Sequence, residues 1–368
     1  MTNSRVHGLP RWSLAVPPLA FVVLVLSWGR DLGAILLILV CAGLGAAVIA
    51  AVHHAEIVAH RVGEPFGTLI LALAVTIIEV ALIVTLMASG GDKAASLARD
   101  TVFAAVMITC NGILGIALVV GSLKHHVQEF RVHASSGALA VMTALVTLSL
   151  VLPTFTTSAS GPRFSGPQLA FAGVVSLVMY GVFVFVQTVR HRDYFLPVEP
   201  ASTNADEEEE HHAAAPSGKV ALFSLGLLFV CLVAVVGLAK TVSPKLESAV
   251  ESAGAPLAVV GVVIALLVLL PETVAAVRAA LRNRLQNSMN LALGSALASI
   301  GLTIPAIGIA SIWLDGPLVL GLGAKEIVLF ALTVAVSTIT LATGKATLLQ
   351  GAVHLMVFSA FLFLAVSP

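Results

Sequence analysis

FGTLILALAVTIIEVALIVTLMAS, residues 66–89, and PLAVVGVVIALLVLLPETVAAV, residues 256–277, decide what kind of fold this chain adopts. Each is long enough to cross a bilayer as a helix, which takes about 20 mostly apolar residues. Each also carries one carboxylate near its middle, Glu79 in the first and Glu272 in the second. A charge at that depth costs about 2.5 kcal/mol or more to insert, so such residues face a bundle interior or a water-filled path and mark ion or proton handling. The two glutamates read as a functional pair.

The remaining sequence is of the same kind. Of the 368 residues 58% are hydrophobic and 10% charged, with a mean hydropathy of +1.05; these values lie outside the range of soluble domains and specify an all-α polytopic membrane protein. Apolar runs predict about eleven transmembrane helices, near 14–28, 32–52, 66–89, 101–123, 134–153, 168–190, 219–240, 256–277, 287–313, 323–343 and 346–366. The first run contains Pro17 and Pro18 and competes with a signal peptide, but no small-residue cleavage site follows Trp28. It is kept as a helix.

Loops on alternate sides of these spans differ in Lys and Arg. Twelve lie on the side of the N-terminus, among them Arg61, Lys124, Arg190, Arg278, Arg284 and Lys345, against seven on the other. This places the N-terminus in the cytoplasm and the C-terminus outside, and the expected location is a bacterial inner membrane. The net charge of zero and the lack of any long basic block point to no nucleic-acid partner. Cys41, Cys110 and Cys231 all fall inside spans, neither framing disulfides nor spaced for zinc, and read as packing residues. The pairs His53–His54, His125–His126 and His211–His212 read as solvated loop residues, and His354 as a packed, hydrogen-bonded histidine.

One long linker interrupts the pattern. Residues 191–218 hold Pro197, Pro200 and Pro216 and the acidic cluster Asp206, Glu207, Glu208, Glu209 and Glu210. Such a segment reads as a flexible connector, with a sharper reading in which the carboxylates concentrate a divalent cation near a pathway and regulate it. It divides the chain into residues 1–190, an N-terminal helix plus a first transporter repeat, and residues 219–368, a second repeat. The two halves share ordered local matches: Gly63-Glu64-Pro65 before the Glu79 run answers Gly254-Ala255-Pro256 before the Glu272 run, and Asn111-Gly112-Ile113-Leu114-Gly115 answers Gly294-Ser295-Ala296-Leu297-Ala298-Ser299. Corresponding helices lie five spans apart, and an odd offset reverses their direction, so two five-helix inverted repeats are expected. Transporters built this way hold substrate near the midplane at the repeat interface, where interrupted helices expose carbonyls. Pro271 frees the carbonyl of Leu267 and Pro305 that of Gly301, while Thr76, one turn before Glu79, adds a hydroxyl on the same face.

The paired runs, the two glutamates, the stretch from Pro271-Glu272-Thr273 through Gly294-Ser295-Ala296-Leu297-Ala298-Ser299-Ile300-Gly301-Leu302-Thr303-Ile304-Pro305 and the acidic linker resemble the cation/proton exchanger branch of the calcium/cation antiporter superfamily, and within it the bacterial ChaA-type calcium, sodium and potassium antiporters. The resemblance covers nearly the whole chain. It implies that Glu79 and Glu272 coordinate the cation and carry the exchanged protons, and that Asn111, Ser295 and Ser299 supply neutral ligands. The sequence departs from the commoner family pattern of Gly-Asn just before each glutamate, with Val75-Thr76 and Val268-Leu269 in those places. Two amide ligands are thereby lost. Calcium ranks first as the exchanged ion, with sodium or potassium as alternatives.

Charge alone suggests how such a site works. Two buried carboxylates close together cannot both stay ionised without a cation between them, so protons and metal compete, and exchange follows if only loaded states move. Hard cations suit the oxygen ligands better than zinc or copper. No cofactor is expected beyond the transported ions, and the lipid bilayer is the other partner. Thr343-Gly344-Lys345-Ala346 lacks the remaining features of a P-loop, and no His-Glu-x-x-His set occurs, which argues against a nucleotide-driven pump and a metalloprotease. A cation channel using the same glutamates, or glutamates that are merely structural, are the competing readings.

Overall fold

The computed structural model describes residues 5–6, 9–30, 32–63, 66–90, 95–196, 216–314 and 316–368. The chain forms helices α1 (Arg11–Ser27), α2 (Ala34–Val62) and α3 (Phe66–Gly90), then α4 (Leu97–Met107), which continues through a π-helical turn at Ile108–Ile113 into α5 (Leu114–His125). After these come α6 (Val132–Val146), α7 (Gly166–Phe185), the short α8 (Arg192–Phe195) and α9 (Gly218–Ser252). The rest are α10 (Ala258–Val268), α11 (Leu270–Leu281), α12 (Leu285–Ala310), α13 (Ala324–Ala342) and α14 (Leu348–Val366). Among the described residues eight helical runs are long and apolar enough to cross a membrane, and the pair α10 and α11, bent by 53°, makes a ninth. Helix α1 and the Leu73–Ala88 portion of α3 are shorter apolar helices. The acidic cluster Asp206 to Glu210 and the pair His211–His212 lie outside the described residues.

Several boundaries have a local cause. A capping box between Ser165 and Gln168 opens α7, and another between Thr347 and Gln350 opens α14. Helix α2 ends at Gly63, whose φ of +78° suits a residue without a Cβ. This helix runs well past the expected end at residue 52, and His53–His54 is therefore not a solvated loop pair. His54 is wholly buried, with Nε2 2.9 Å from the carbonyl of Ser13. Small residues on the buried side of α2, including Ala47, Ala50, Ala51 and Ala55, let it pack closely between its neighbours α1 and α9, which keeps the extended helix covered. Cys110 and Cys231 are buried as packing residues, whereas Cys41 lies on the exposed side of α2.

Two apolar clusters divide the core. One gathers residues of α1, α2, α3 and α9, including Val40, Ile78, Leu82 and Leu238; the other gathers α4 to α7 with α12, α13 and α14, including Met107, Met142, Leu297 and Phe330. Helix α10 sits on the seam, giving Val260, Ile264 and Val268 to the first and Val262, Ala265 and Leu269 to the second.

Hydrogen bonds between loops define the two ends of the bundle. At one end Lys124 and His125 reach the carbonyl of Leu281, Arg131 N–H donates to Gln286 Oε1, and Asn290 Nδ2 donates to the carbonyl of Phe195. Here the antiparallel strands β1 (Gln128–Glu129) and β2 (Lys345–Ala346) pair, with Lys345 and Glu129 3.1 Å apart. At the other end Val319 N–H donates to Ala95, Arg99 to Gly321, and Lys325 to Leu364. The Lys- and Arg-rich loops around Lys124, Arg131, Arg284 and Lys345 thus meet at the first end.

Candidate functional site

A proline and a break in α-helical hydrogen bonding put Glu272 where a carboxylate is best tolerated. Helix α10 stops at Val268, Leu269 leaves helical geometry at φ −86° and ψ 1°, and Pro271 opens α11 at a position where its missing N–H is not needed. Glu272 falls in the first turn of α11, where unpaired N–H groups and the helix dipole favour negative charge.

Glu79 has no such terminus. It stands mid-way along the continuous helix α3 and is served from outside: Ser299 Oγ, on α12, donates to Glu79 Oε2 at 2.5 Å. Thr303, one turn further along α12, adjoins the same carboxylate without closing a hydrogen bond of standard geometry. Both glutamates are buried, Glu79 at 4% exposure and Glu272 at 9%.

The two carboxylates line one cavity of about 110 Å³ on the seam between the core clusters. Thr76, Ser295 and Ser299 line it too, so five of the sequence-expected site residues converge there. Gly294, Ser295 and Ala298 keep this face of α12 small enough to leave room. From the pair the cavity extends toward Gln187 and Asn290, at the end of the bundle where the Lys- and Arg-rich loops meet. Glu79 Oε1 and Glu272 Oε2 have no hydrogen-bond partner among the described residues. Buried carboxylate oxygens without donors are costly in a fold and are the groups a cation or proton would satisfy.

Asn111 is elsewhere. It lies in the π-helical turn, wholly buried, where Nδ2 donates to Thr333 Oγ1 at 2.9 Å and Oδ1 faces His354 Nδ1 at 3.2 Å. The other ring nitrogen of His354 meets Thr340 Oγ1 at 3.1 Å. Asn111 and His354 therefore tie α5, α13 and α14 together, away from the cavity. Leu267 is in the last turn of α10 with its side chain against Gly45, and the cavity is lined by its successors Val268 and Leu269.

A third carboxylate escaped the sequence reading. Glu56 on α2 is exposed, yet close enough to act electrostatically on Glu272. Its signal was the continuation of helical spacing past residue 52, which would have placed it on α2 rather than in a loop.

The model of the family described as "Sodium/calcium exchanger protein" matches residues 32–189 and 223–367. The chain belongs to this family. It is 50% identical over 367 residues, 99% of its length and 98% of the other's, to "Putative ionic transporter y4hA" of Sinorhizobium fredii (strain NBRC 101917 / NGR234). It is 36% identical over 354 residues, 95% of its length and 94% of the other's, to the sodium-potassium/proton antiporter ChaA of Escherichia coli (strain K12). The solved structure of the H+/Ca2+ exchanger CAX shares its fold, with a TM-score of 0.69 over 95% of this chain and 87% of that one at 16% identity. These likenesses put the chain in the cation/proton exchanger branch that its glutamate-bearing segments resembled. Its relatives are transporters and not enzymes.

Proposed function

We propose that this exchanger-family chain is a secondary cation/proton antiporter that moves Ca²⁺ against protons at the Glu79–Glu272 pair. The observation that carries this reading is the single cavity into which two buried carboxylates, from α3 and from the first turn of α11, bring unpartnered oxygens. A divalent cation takes six to eight oxygen ligands; the two carboxylates with the hydroxyls of Thr76, Ser295 and Ser299, and carbonyls freed at the α10–α11 break near Leu267, supply such a set. When the cation leaves, two protons replace its charge, and the site moves with no change in net charge.

Helices α10 and α11 count as one span in this account, giving eleven spans in two inverted five-helix repeats after α1. Residues 191–218 link the repeats on the cytoplasmic side. The seam between the core clusters is where one body shifts against the other to change access. The cavity extends toward the loops rich in Lys and Arg, which the charge bias assigns to the cytoplasm of a bacterial inner membrane, so this arrangement corresponds to an inward-facing state.

A second reading, with Na⁺ or K⁺ as the exchanged ion, draws on the likeness to the sodium-potassium/proton antiporter and on Val75-Thr76 and Val268-Leu269 standing where the commoner family pattern has Gly-Asn. The test for both is the same. Purified protein in acid-loaded vesicles is challenged separately with Ca²⁺, Na⁺ and K⁺ while internal pH is followed. Alkalinisation with Ca²⁺ supports the first reading, alkalinisation with Na⁺ or K⁺ alone the second. If cation flux ignores an opposing proton gradient, the chain is a channel.

A further inference from the structure

Threonines in these helices share a habit that Thr303 breaks. Thr85, Thr101, Thr109, Thr143 and Thr333 each donate the hydroxyl to the carbonyl four residues earlier, at 2.6 to 2.8 Å, which is how a hydroxyl is satisfied inside an apolar helix. Thr303 is wholly buried in α12, and its Oγ1 closes no hydrogen bond of standard geometry among the described residues. It stands beside the Glu79 carboxylate, whose Oε1 is likewise buried and unpartnered.

Position along α12 gives this pair of orphans a meaning. Ser295, Ser299 and Thr303 are spaced by four residues and share a face. Along α12 the cavity is lined from Asn290 through Gly294, Ser295 and Ala298 to Ser299, and Thr303 is not among its lining residues. Thr303 is the next hydroxyl beyond Ser299, on the side leading to the opposite end of the bundle. Glu79 is held from the cavity side through Oε2 by Ser299, and Thr303 stands beside the same carboxylate.

We propose that Thr303 is a further ion-path residue, the hydroxyl that takes over Glu79 and the cation it holds when the site opens to the end of the bundle opposite the present cavity. This rests on the antiporter reading above and extends it to a ligand used from one side only. In the inward-facing arrangement Ser299 holds the carboxylate; in the outward-facing one Thr303 donates to it, and the same rung supplies a neutral oxygen to the departing or arriving cation. The idle hydroxyl is tolerated here because it is bonded in the other state.

The experiment compares T303V and T303S with the unaltered chain in right-side-out and everted membrane vesicles, measuring the half-saturating Ca²⁺ concentration for proton-coupled exchange from each face, with Na⁺ measured in parallel. Valine keeps the shape and removes only the hydroxyl, which has no partner to lose in the present arrangement. A hydrogen bond to a charged group is worth enough that its loss raises half-saturation on the face opposite the cavity about tenfold or more, while the cavity face keeps its value and serine restores both. An equal change on both faces, no change on either, or failure of T303V to accumulate overturns the proposal, the last because it would make the hydroxyl structural. If the unaltered chain exchanges no cation for protons, the antiporter reading fails first; if it exchanges normally and T303V shows no sidedness, only the role of Thr303 falls.

Discussion

Replacing Ser299 by alanine removes the hydrogen bond that α12 donates to Glu79. The Ser299 Oγ to Glu79 Oε2 distance of 2.5 Å marks a short bond of the charge-assisted kind. Ser299 is 5% exposed, and Glu79 Oε1 is already without a partner among the described residues. A hydrogen bond to a charged group contributes about 1.5–3 kcal/mol, roughly a ten- to hundredfold change in a binding constant. The donor favours the ionised carboxylate, which is the form that holds a cation, so S299A weakens cation binding and leaves the proton-loaded state comparatively favoured. The cavity gained is one hydroxyl in size, and the fold survives it. The assay is cation-dependent dissipation of a pH gradient in reconstituted vesicles, read as half-saturating Ca²⁺ and Na⁺ concentrations. A rise of at least about tenfold with the maximal rate largely kept, and recovery in S299T, is expected. Half-saturation unchanged for every cation would refute the claim that this hydroxyl serves the transport carboxylate.

Two other substitutions probe parts of the chain outside the cavity. Asn111→Ala breaks the chain from Thr333 through Asn111 to His354 and Thr340; it leaves buried polar groups unpaired and is expected to lower thermal stability by about 1–3 kcal/mol while leaving the cation half-saturation of the folded protein near its original value. A thermal-shift assay alongside transport separates the two effects, and a selective loss of cation affinity at unchanged stability would return Asn111 to the ion site. Neutralising Asp206 to Glu210 is expected to weaken the response at low cytoplasmic Ca²⁺ in dilute buffer and to have a shrinking effect as salt rises, because exposed charges act over a Debye length of about 10 Å at 0.1 M. An identical calcium dependence at low ionic strength would leave the linker as a spacer.

What the sequence revealed follows from how loudly each feature contradicts its surroundings. A single carboxylate within an apolar run has few explanations, which is why Glu79 and Glu272 stand out and why their shared cavity is unsurprising. Proline does the same for the α10–α11 break, since Pro271 can open a helix but not continue one. Asn111 was harder. Its alignment with the Gly294–Ser299 stretch presumes regular helical spacing, but the turn at Ile108–Ile113 is π-helical, and the extra residue rotates the following side chains away from where a 3.6-residue period puts them. Glu56 and the His53–His54 pair were misplaced because α2 continues beyond its apolar run, with only one side of the continuation, at His54, Ala55 and Val58, buried. Thr303 lies within the stretch that resembles the family but is not marked out there as a site residue, because a threonine in a helix ordinarily satisfies itself.

The central claim is that Glu79 and Glu272 alternate between protons and a cation. It is tested most directly by E79Q and E272Q, each reconstituted at matched amounts and assayed for proton-coupled flux of Ca²⁺, Na⁺ and K⁺. Glutamine keeps the side-chain shape while removing the titratable proton and the charge, and it inserts into a membrane interior at lower cost than an ionised glutamate. The account predicts that both variants reach the membrane and that neither exchanges any of the three cations for protons. Coupled exchange at an undiminished rate in either variant would contradict it.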